Sequence, residues 1–466
     1  RSLLQTRADK GVARFESKKV QNIMKPLSLK RSDFPNGFDF GVASSAYQIE
    51  GHAFGSAGET HWDSFAKLPG RVLKQHNGQI ACDHYHKYEE DLDHIKAAGF
   101  DSYRFSTSWA RVIPEGVGAV NSKGLDFYDR LTDAILERDL KPHLTLYHWE
   151  LPQAIAEKGG WTNREIVGWF GEFVEIIGHK LGDRMASIAP INEPWCVSWL
   201  SHALGHHAPG KQDLKLAALS MHNVLLAHGR AVEVLRGQNQ TNLGCVCNLE
   251  WSHPASQTAQ DIEAAKLYDA IYNRFFLEAM FLGEYPEPVL KGIERFLPSS
   301  WQEDLSIISA PLDWCGINYY TCKRVAHDAS LEWPHVRDEI GPLEKTDMGW
   351  EIYPQGLSDF LMWVNQKITK GIPLFVTENG AATSEAREHQ KLNDHQRISY
   401  IDAHLGAAHQ AIKSGVPLKG YYMWSLMDNF EWAFGYDKRF GLIHVDYSTL
   451  ERRPKASYYA VQTAIA

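Results

Sequence analysis

The amino-acid sequence predicts an α/β protein built as one (β/α)8 TIM barrel with elaborated βα loops, and three observations lead there. Short β-rich segments alternate with longer amphipathic stretches along most of the 466 residues, the order of a parallel sheet with crossover helices. Eight such segments can be counted, the number that closes a barrel. The first of them leads into Gly41-Val42-Ala43-Ser44-Ser45, which lacks the G-x-G-x-x-G phosphate loop of the rival doubly wound open sheet.

In chain order the expected strands are 38–45, 102–109, 141–149, 186–194, 242–251, 313–321, 373–380 and 419–428. Helical patterns, with apolar residues recurring at three and four, fall at 85–98, 124–138, 163–181, 214–236, 262–282, 353–370 and 394–414. Stretches 201–213 and 327–349 are rich in Pro, Gly and charge and read as loops. No internal repeat or low-complexity linker divides the chain, so residues 25–466 are expected to form one barrel domain. Residues 1–24, with Arg1, Arg7, Lys10, Arg14, Lys18 and Lys19, read as an expression remnant or flexible arm in preference to a transit leader.

Composition narrows the function. Hydrophobic residues make up 44% and charged residues 23%, ordinary for a soluble globular protein with a large core. A formal charge of −9 argues against a nucleic-acid partner, which calls for a concentrated basic face. No apolar run is long enough for a membrane span. Six cysteines without a paired spacing fit buried free thiols and a reducing, cytoplasmic compartment; Cys245 and Cys247 share one face of a strand. The histidines His84, His86, His202, His206 and His207 lack a helical His-Glu-x-x-His pattern, so hydrogen bonding explains them and neither a metal nor a cofactor is expected. The 15 Trp, 19 Tyr and 20 Phe suit stacking on flat apolar faces, those of sugars included, although many must simply fill core.

In such a barrel the C-terminal ends of the strands build the active site. Those ends carry Gln48 and Glu50, Arg104, His148 and Trp149, Asn192 and Glu193, Asn318 and Tyr320, Glu378 and Asn379, and Trp424, followed by Glu431 and Trp432. Glu193 and Glu378 close the fourth and seventh strands and face each other across the barrel mouth. Glycoside hydrolysis needs such a pair: one protonated carboxyl for the leaving oxygen, and one carboxylate to attack or stabilise the anomeric carbon.

From about Phe34 to Ala464 the sequence resembles glycoside hydrolase family 1. The resemblance is carried by Phe40–Gly51 (FGVASSAYQIEG), Tyr103-Arg104-Phe105-Ser106, Tyr147-His148-Trp149, Asn192-Glu193-Pro194, Asn318-Tyr319-Tyr320, Thr377-Glu378-Asn379-Gly380 and Trp424–Trp432 (WSLMDNFEW). It implies a retaining β-glucosidase, with Glu193 as acid/base and Glu378 as nucleophile, about 5–5.5 Å apart. The same resemblance makes Arg104, Asn318 and Tyr320 supports of these carboxyls. Gln48, His148, Asn192, Glu431 and Trp432 become contacts to the sugar hydroxyls, and Trp424 the floor under its ring. Trp195 and Leu200, just after the acid/base, are expected to narrow the leaving-group entrance, with helix packing as the alternative. Expected substrates are small β-glucosides or short β-linked oligosaccharides, with β-galactosidase and β-fucosidase side activities and some transglycosylation. Glu431 would repel a 6-phosphate, and an acid where thioglucosidase relatives carry Gln points to O-glycosides. A non-catalytic sugar-binding protein on the same barrel is the competing class.

Overall fold

The computed structural model describes residues 26–384 and 392–466; the expected arm at 1–24 lies outside them. Eight parallel strands form the frame: β1 Asp39–Ala43, β2 Ser102–Ser106, β3 Lys141–Tyr147, β4 Ser187–Ile191, β5 Gly244–Pro254, β6 Trp314–His327, β7 Leu374–Asn379 and β8 Leu418–Trp424. They pair in the order β4-β3-β2-β1-β8-β7-β6-β5. Parallel bridges Ile188–Leu243 and Asn192–Val246 join β4 to β5, so the sheet closes on itself and the open-sheet alternative falls. Each strand overlaps the segment expected from the sequence.

The strands close as they do because alternate positions serve two different surroundings. Val42, Tyr103, Leu144, Ile188, Ile317, Val376 and Tyr421 lie in the main apolar core, where strands meet helices. A second apolar cluster, Ala189, Val246 and Trp314 with Phe375 against it, comes from the opposite faces of β4, β5, β6 and β7. Near the start of β1, Asp39 accepts hydrogen bonds from Ser102 Oγ at 2.7 Å and Tyr422 Oη at 2.5 Å, and His143 and Ser102 help hold its pKa well below the usual carboxylate range despite burial. Tyr422 passes β1 so closely that a Cβ on Gly41 would lie 2.2 Å from its ring.

The helices around the barrel follow the expected patterns, with instructive exceptions. Ser122–Glu137 buries Phe127, Tyr128, Leu131, Ala134 and Ile135 along one stripe. Leu214–Gly237 starts at Asp213, whose side chain accepts from Leu216 N at 2.9 Å. The helix expected over 262–282 runs from Ala259 to Leu282, but its α-helical parts Ala259–Asp269 and Phe275–Leu282 are joined by a wide π-helical turn, Ala270–Arg274. There Asn273 turns to the end of β5, accepting from Glu250 N and donating to Glu250 O, both at 2.9 Å. Stretch 327–349 is not only loop: Val336–Glu339 pairs antiparallel with the end of β6. Its polar sequence hid it, because an edge strand keeps charge outward. A further helix, Ala456–Ile465, follows β8. Among the described residues no helix is long and apolar enough to cross a membrane.

The segment after β8 is tied to the C-terminal part of the chain by buried charge. Asp428 accepts from Lys455 Nζ at 2.6 Å, Arg439 Nη1 at 2.8 Å and Gly441 N at 3.0 Å. Lys455 and Arg439 hold its pKa at about 2 against the effect of burial. Removing one partner of a buried pair costs far more than an exposed pair is worth. Lys455→Met is expected to lower stability by about 3 kcal/mol, read as a fall in the urea midpoint at pH 7; an unchanged midpoint would show that Arg439 alone satisfies Asp428.

Candidate active site

Glu193 and Glu378 are joined by a continuous set of hydrogen bonds drawn from β2, β4, β6 and β7. Glu193 leaves β4 with φ 51, uncommon for a residue with a Cβ, and its N–H reaches Val246 O on β5 at 3.0 Å. On the other side Glu378 is the register partner of Asn318. Arg104 donates through Nη1 to Glu378 Oε1 at 2.6 Å and through Nη2 to Asn192 Oδ1 at 2.7 Å. Tyr320 Oη donates to Glu378 Oε2 at 2.5 Å. Asn318 Nδ2 donates to Glu193 Oε1 at 2.6 Å and to Asn192 Oδ1 at 3.1 Å. The Asn318 amide is oriented in turn by Thr377 Oγ1, which donates to its Oδ1 at 2.7 Å.

The electrostatics separate the two acids. Both are buried, at 4% and 3% exposure. Burial first and the Glu378 charge second push Glu193 up to about 8, against hydrogen bonds from Asn318 and Cys196. Burial also raises Glu378, but Arg104 and Tyr320 act directly on its carboxylate in the opposite sense. Of the two, Glu193 therefore holds its proton more tightly, and Glu378 is the member whose ionised form is supported. Glu431 is likewise lifted to about 8 by burial and by the charges of Glu378 and Glu193.

An aromatic wall stands beside these carboxyls. The His148 ring is nearly parallel to Trp424, with centroids 5.7 Å apart, and to Trp432, at 6.4 Å. Trp432 also stacks on Tyr47 at 5.8 Å. Asn192 Nδ2 donates to His148 Nε2 at 3.2 Å, which leaves the ring proton on Nδ1; burial and Arg104 keep the imidazole neutral. Gln48 Nε2 donates to Asn429 Oδ1 at 3.0 Å and Phe430 O at 2.8 Å, tying the loop after β1 to the segment after β8. β7 comes so near this wall that a Cβ on Gly380 would sit 1.7 Å from the Trp424 carbonyl oxygen, so glycine is required. His148 Nδ1 and Glu431 Oε2 are buried polar atoms with no partner in the protein. Such groups are costly unless something satisfies them.

Of the two residues expected at an entrance, Trp195 packs on Tyr272, centroids 4.1 Å apart, and its buried Nε1 has no partner. Leu200 packs half-buried against the main core. The structure brings in residues that the sequence reading did not single out. Thr377, Cys196 and Asn429 lie inside or beside the quoted motifs and could have been found there. Asn248 and Tyr272, joined by a 2.8 Å hydrogen bond, come from β5 and the wide turn and carry no sequence signal. His84 bonds Asp91 at 2.8 Å, His86 bonds Asp83 at 2.6 Å and His202 bonds Ser198 O at 3.0 Å. Among the described residues no three His, Cys, Asp or Glu side chains converge as a metal site requires.

A sequence profile described as glycosyl hydrolase family 1 matches residues 30–466. The chain belongs to that family. It is 46% identical over 441 residues to β-glucosidase A of Acetivibrio thermocellus, covering 92% of this chain and 98% of that one. It is 42% identical to a 1,4-β-D-glucan glucohydrolase of Thermotoga neapolitana, covering 91% and 96%. The solved family 1 β-glucosidase of Thermotoga maritima superposes with a TM-score of 0.90 at 43% identity, covering 93% of this chain and 98% of that one. The same enzyme in complex with cyclophellitol gives 0.88, at the same identity and coverage.

The raised pKa of Glu193 has a thermodynamic consequence. Unfolded, this glutamate ionises near 4.5; folded, it does so near 8. Between those values the unfolded chain binds fewer protons, so stability falls as pH rises through that window. Glu193→Gln removes the penalty. It is expected to be more stable than the parent by on the order of 2 kcal/mol at pH 7 and indistinguishable from it at pH 4. Thermal unfolding at both values checks this, and equal melting at pH 7 contradicts the raised pKa.

Proposed function

We propose that this family 1 chain is a retaining β-glucosidase, releasing terminal non-reducing β-D-glucosyl residues through a covalent glycosyl-enzyme. What carries the reading is the unequal surroundings of the pair in one buried network: Arg104 and Tyr320 donate to Glu378 and favour its ionised form, whereas burial and the Glu378 charge raise Glu193. Glu378 attacks the anomeric carbon while Glu193 gives its proton to the glycosidic oxygen, so the aglycone leaves as a neutral alcohol. The new ester bond consumes the Glu378 charge. The field that raised Glu193 then weakens, and Glu193, now ionised, takes a proton from the water that attacks the same carbon and releases glucose. Arg104 and Tyr320 hold Glu378 in line, and Asn318 holds Glu193.

In this reading Trp424 lies under the sugar ring, and Asn192 meets the 2-hydroxyl. Gln48, His148 and Trp432 meet the 3-hydroxyl region, and Glu431 the 4- and 6-hydroxyls. The unpartnered Nδ1 of His148 and Oε2 of Glu431 support it, because sugar hydroxyls would satisfy both. Glu431 can accept from an equatorial or an axial 4-hydroxyl, and in its protonated form, which burial favours, it can also donate, so β-galactosidase and β-fucosidase side activities follow. Transfer to acceptors other than water follows from the covalent intermediate. Trp195, with Tyr272 behind it and its Nε1 unpartnered, faces the aglycone, and Leu200 lies further along that entrance. Short β-1,4-linked glucans and aryl glucosides are the substrates we assign, by likeness to the glucan glucohydrolase and the β-glucosidases. Residues 25–466 act as one catalytic unit. The six buried free thiols favour a reducing, cytoplasmic setting.

Release of nitrophenol from a panel of nitrophenyl β-glycosides tests the activity, with glucose expected first, galactose and fucose slower and mannose poor; folded protein that turns over none of them would be a binding module instead. Cyclophellitol, an epoxide analogue of glucose, is expected to add one inhibitor mass to the protein, and Glu378→Gln to remain unlabelled and inactive. Glu193→Gln is expected to lose roughly 10²–10⁴-fold on poor leaving groups and much less on activated aryl ones. An equal loss on both would remove Glu193 from the acid/base role.

A further inference from the structure

Glu193 presents its two oxygens to two kinds of partner. Oε1 accepts from Asn318 Nδ2 at 2.6 Å, an amide that donates and cannot accept. The Oε2 atom instead faces Cys196 Sγ at 3.1 Å. Asn318 can only donate to Oε1, whereas the partner of Oε2 is a thiol that can adapt to either protonation state of the acid. A thiol is a weak donor and a weak acceptor. It can donate S–H to an ionised Oε2 and turn away when that oxygen is protonated.

The backbone holds the thiol there. Cys196 N donates to Glu193 O at 2.9 Å, Cys196 opens the wide turn Cys196–Leu200, and Ser201 Oγ donates to Cys196 O at 2.7 Å. Burial and the neighbouring Glu193 charge push the thiol well up, so it remains protonated and available as a donor.

We propose that Cys196 is a positioning residue for the acid/base: its S–H holds Oε2 of the Glu193 carboxylate and lowers the pH at which Glu193 gives up its proton. The proposal rests on the reading of Glu193 as the acid/base. Other groups act on Glu193 or feel its charge: Glu378, Arg104, Tyr320, Tyr272, Cys247 and Glu431. Glu250 acts on Cys196 as well. All of these stay in place when only the Cys196 side chain changes, so they set a common baseline. The thiol serves the two halves of the cycle unequally. It leaves the neutral acid free to protonate the leaving oxygen, then steadies the carboxylate that must accept a proton from water.

The test is the pH dependence of kcat/KM on a β-glucoside with a poor leaving group, whose basic limb reports the acid of the free enzyme. Cys196→Ala removes the donor and Cys196→Ser replaces it with a stronger one of nearly the same shape. The basic limb is expected to rise by about half a unit in the alanine variant and to fall by about as much in the serine variant, with the acidic limb unmoved. Superimposed basic limbs, or a serine limb above that of the parent, would overturn the proposal; should the serine variant fail to fold, the alanine limb decides. Glu193→Gln on the same substrate separates the two readings. Loss of its basic limb with an unmoved Cys196 series removes the role of Cys196 alone, whereas a retained limb removes the acid/base assignment itself.

Discussion

Two carboxyl groups buried within each other's field resist ionising together, and the Arg104 guanidinium, bonded to Glu378, favours the charge there. Its fork reaches Glu378 on one side and Asn192 on the other, so one cation fixes the charged acid and also aligns the amide beside its neutral partner. In a site this dry the arrangement is worth far more than the same contacts in water. The rest of the barrel mouth is organised around keeping that difference. Tyr320 adds a donor to the charged member, Asn318 receives its orientation from Thr377 and passes it to Glu193, and no positive charge outweighs burial at the neutral member.

The position of that network follows from barrel geometry. Asn192, Asn318, Glu378 and Arg104 arrive from four strands, and each occupies a place the pleat turns inward, below the loops and above the apolar plug of Ala189, Val246 and Trp314. The plug lends the polar groups near it support by packing as well as by hydrogen bonds. Close approach matters as much as polarity. Gly41 and Gly380 let a tyrosine ring and a tryptophan carbonyl lie where any side chain would collide.

Most of this frame was legible in the sequence, for a physical reason. Strands buried on both faces read as compact apolar runs, and polar residues at their ends, such as Asn192-Glu193 and Glu378-Asn379, have little reason to be there unless they are used. What could not be read depends on contacts between distant segments. The strand Val336–Glu339 is charged because it lies at an edge, and nothing in its pattern separates it from a loop. The widened turn in the helix over 262–282, where Asn273 reaches Glu250 and Tyr272 meets Trp195, leaves no trace in the apolar spacing. The upward pKa shift of Glu431 was also invisible, because it comes from burial near two other carboxyls that lie far away in the chain.

The anchoring of Asp428 by Lys455 and Arg439 bears on how the molecule is made. A ribosome extends the chain from Glu193 through Glu378 to Glu431 before it adds the lysine that secures the last of these segments. During synthesis the acids are therefore present while the aromatic wall beside them still lacks its fastening. The segment that carries Glu431 and Trp432 is therefore fastened only after residues 439–455 have been made and have folded back onto Asp428.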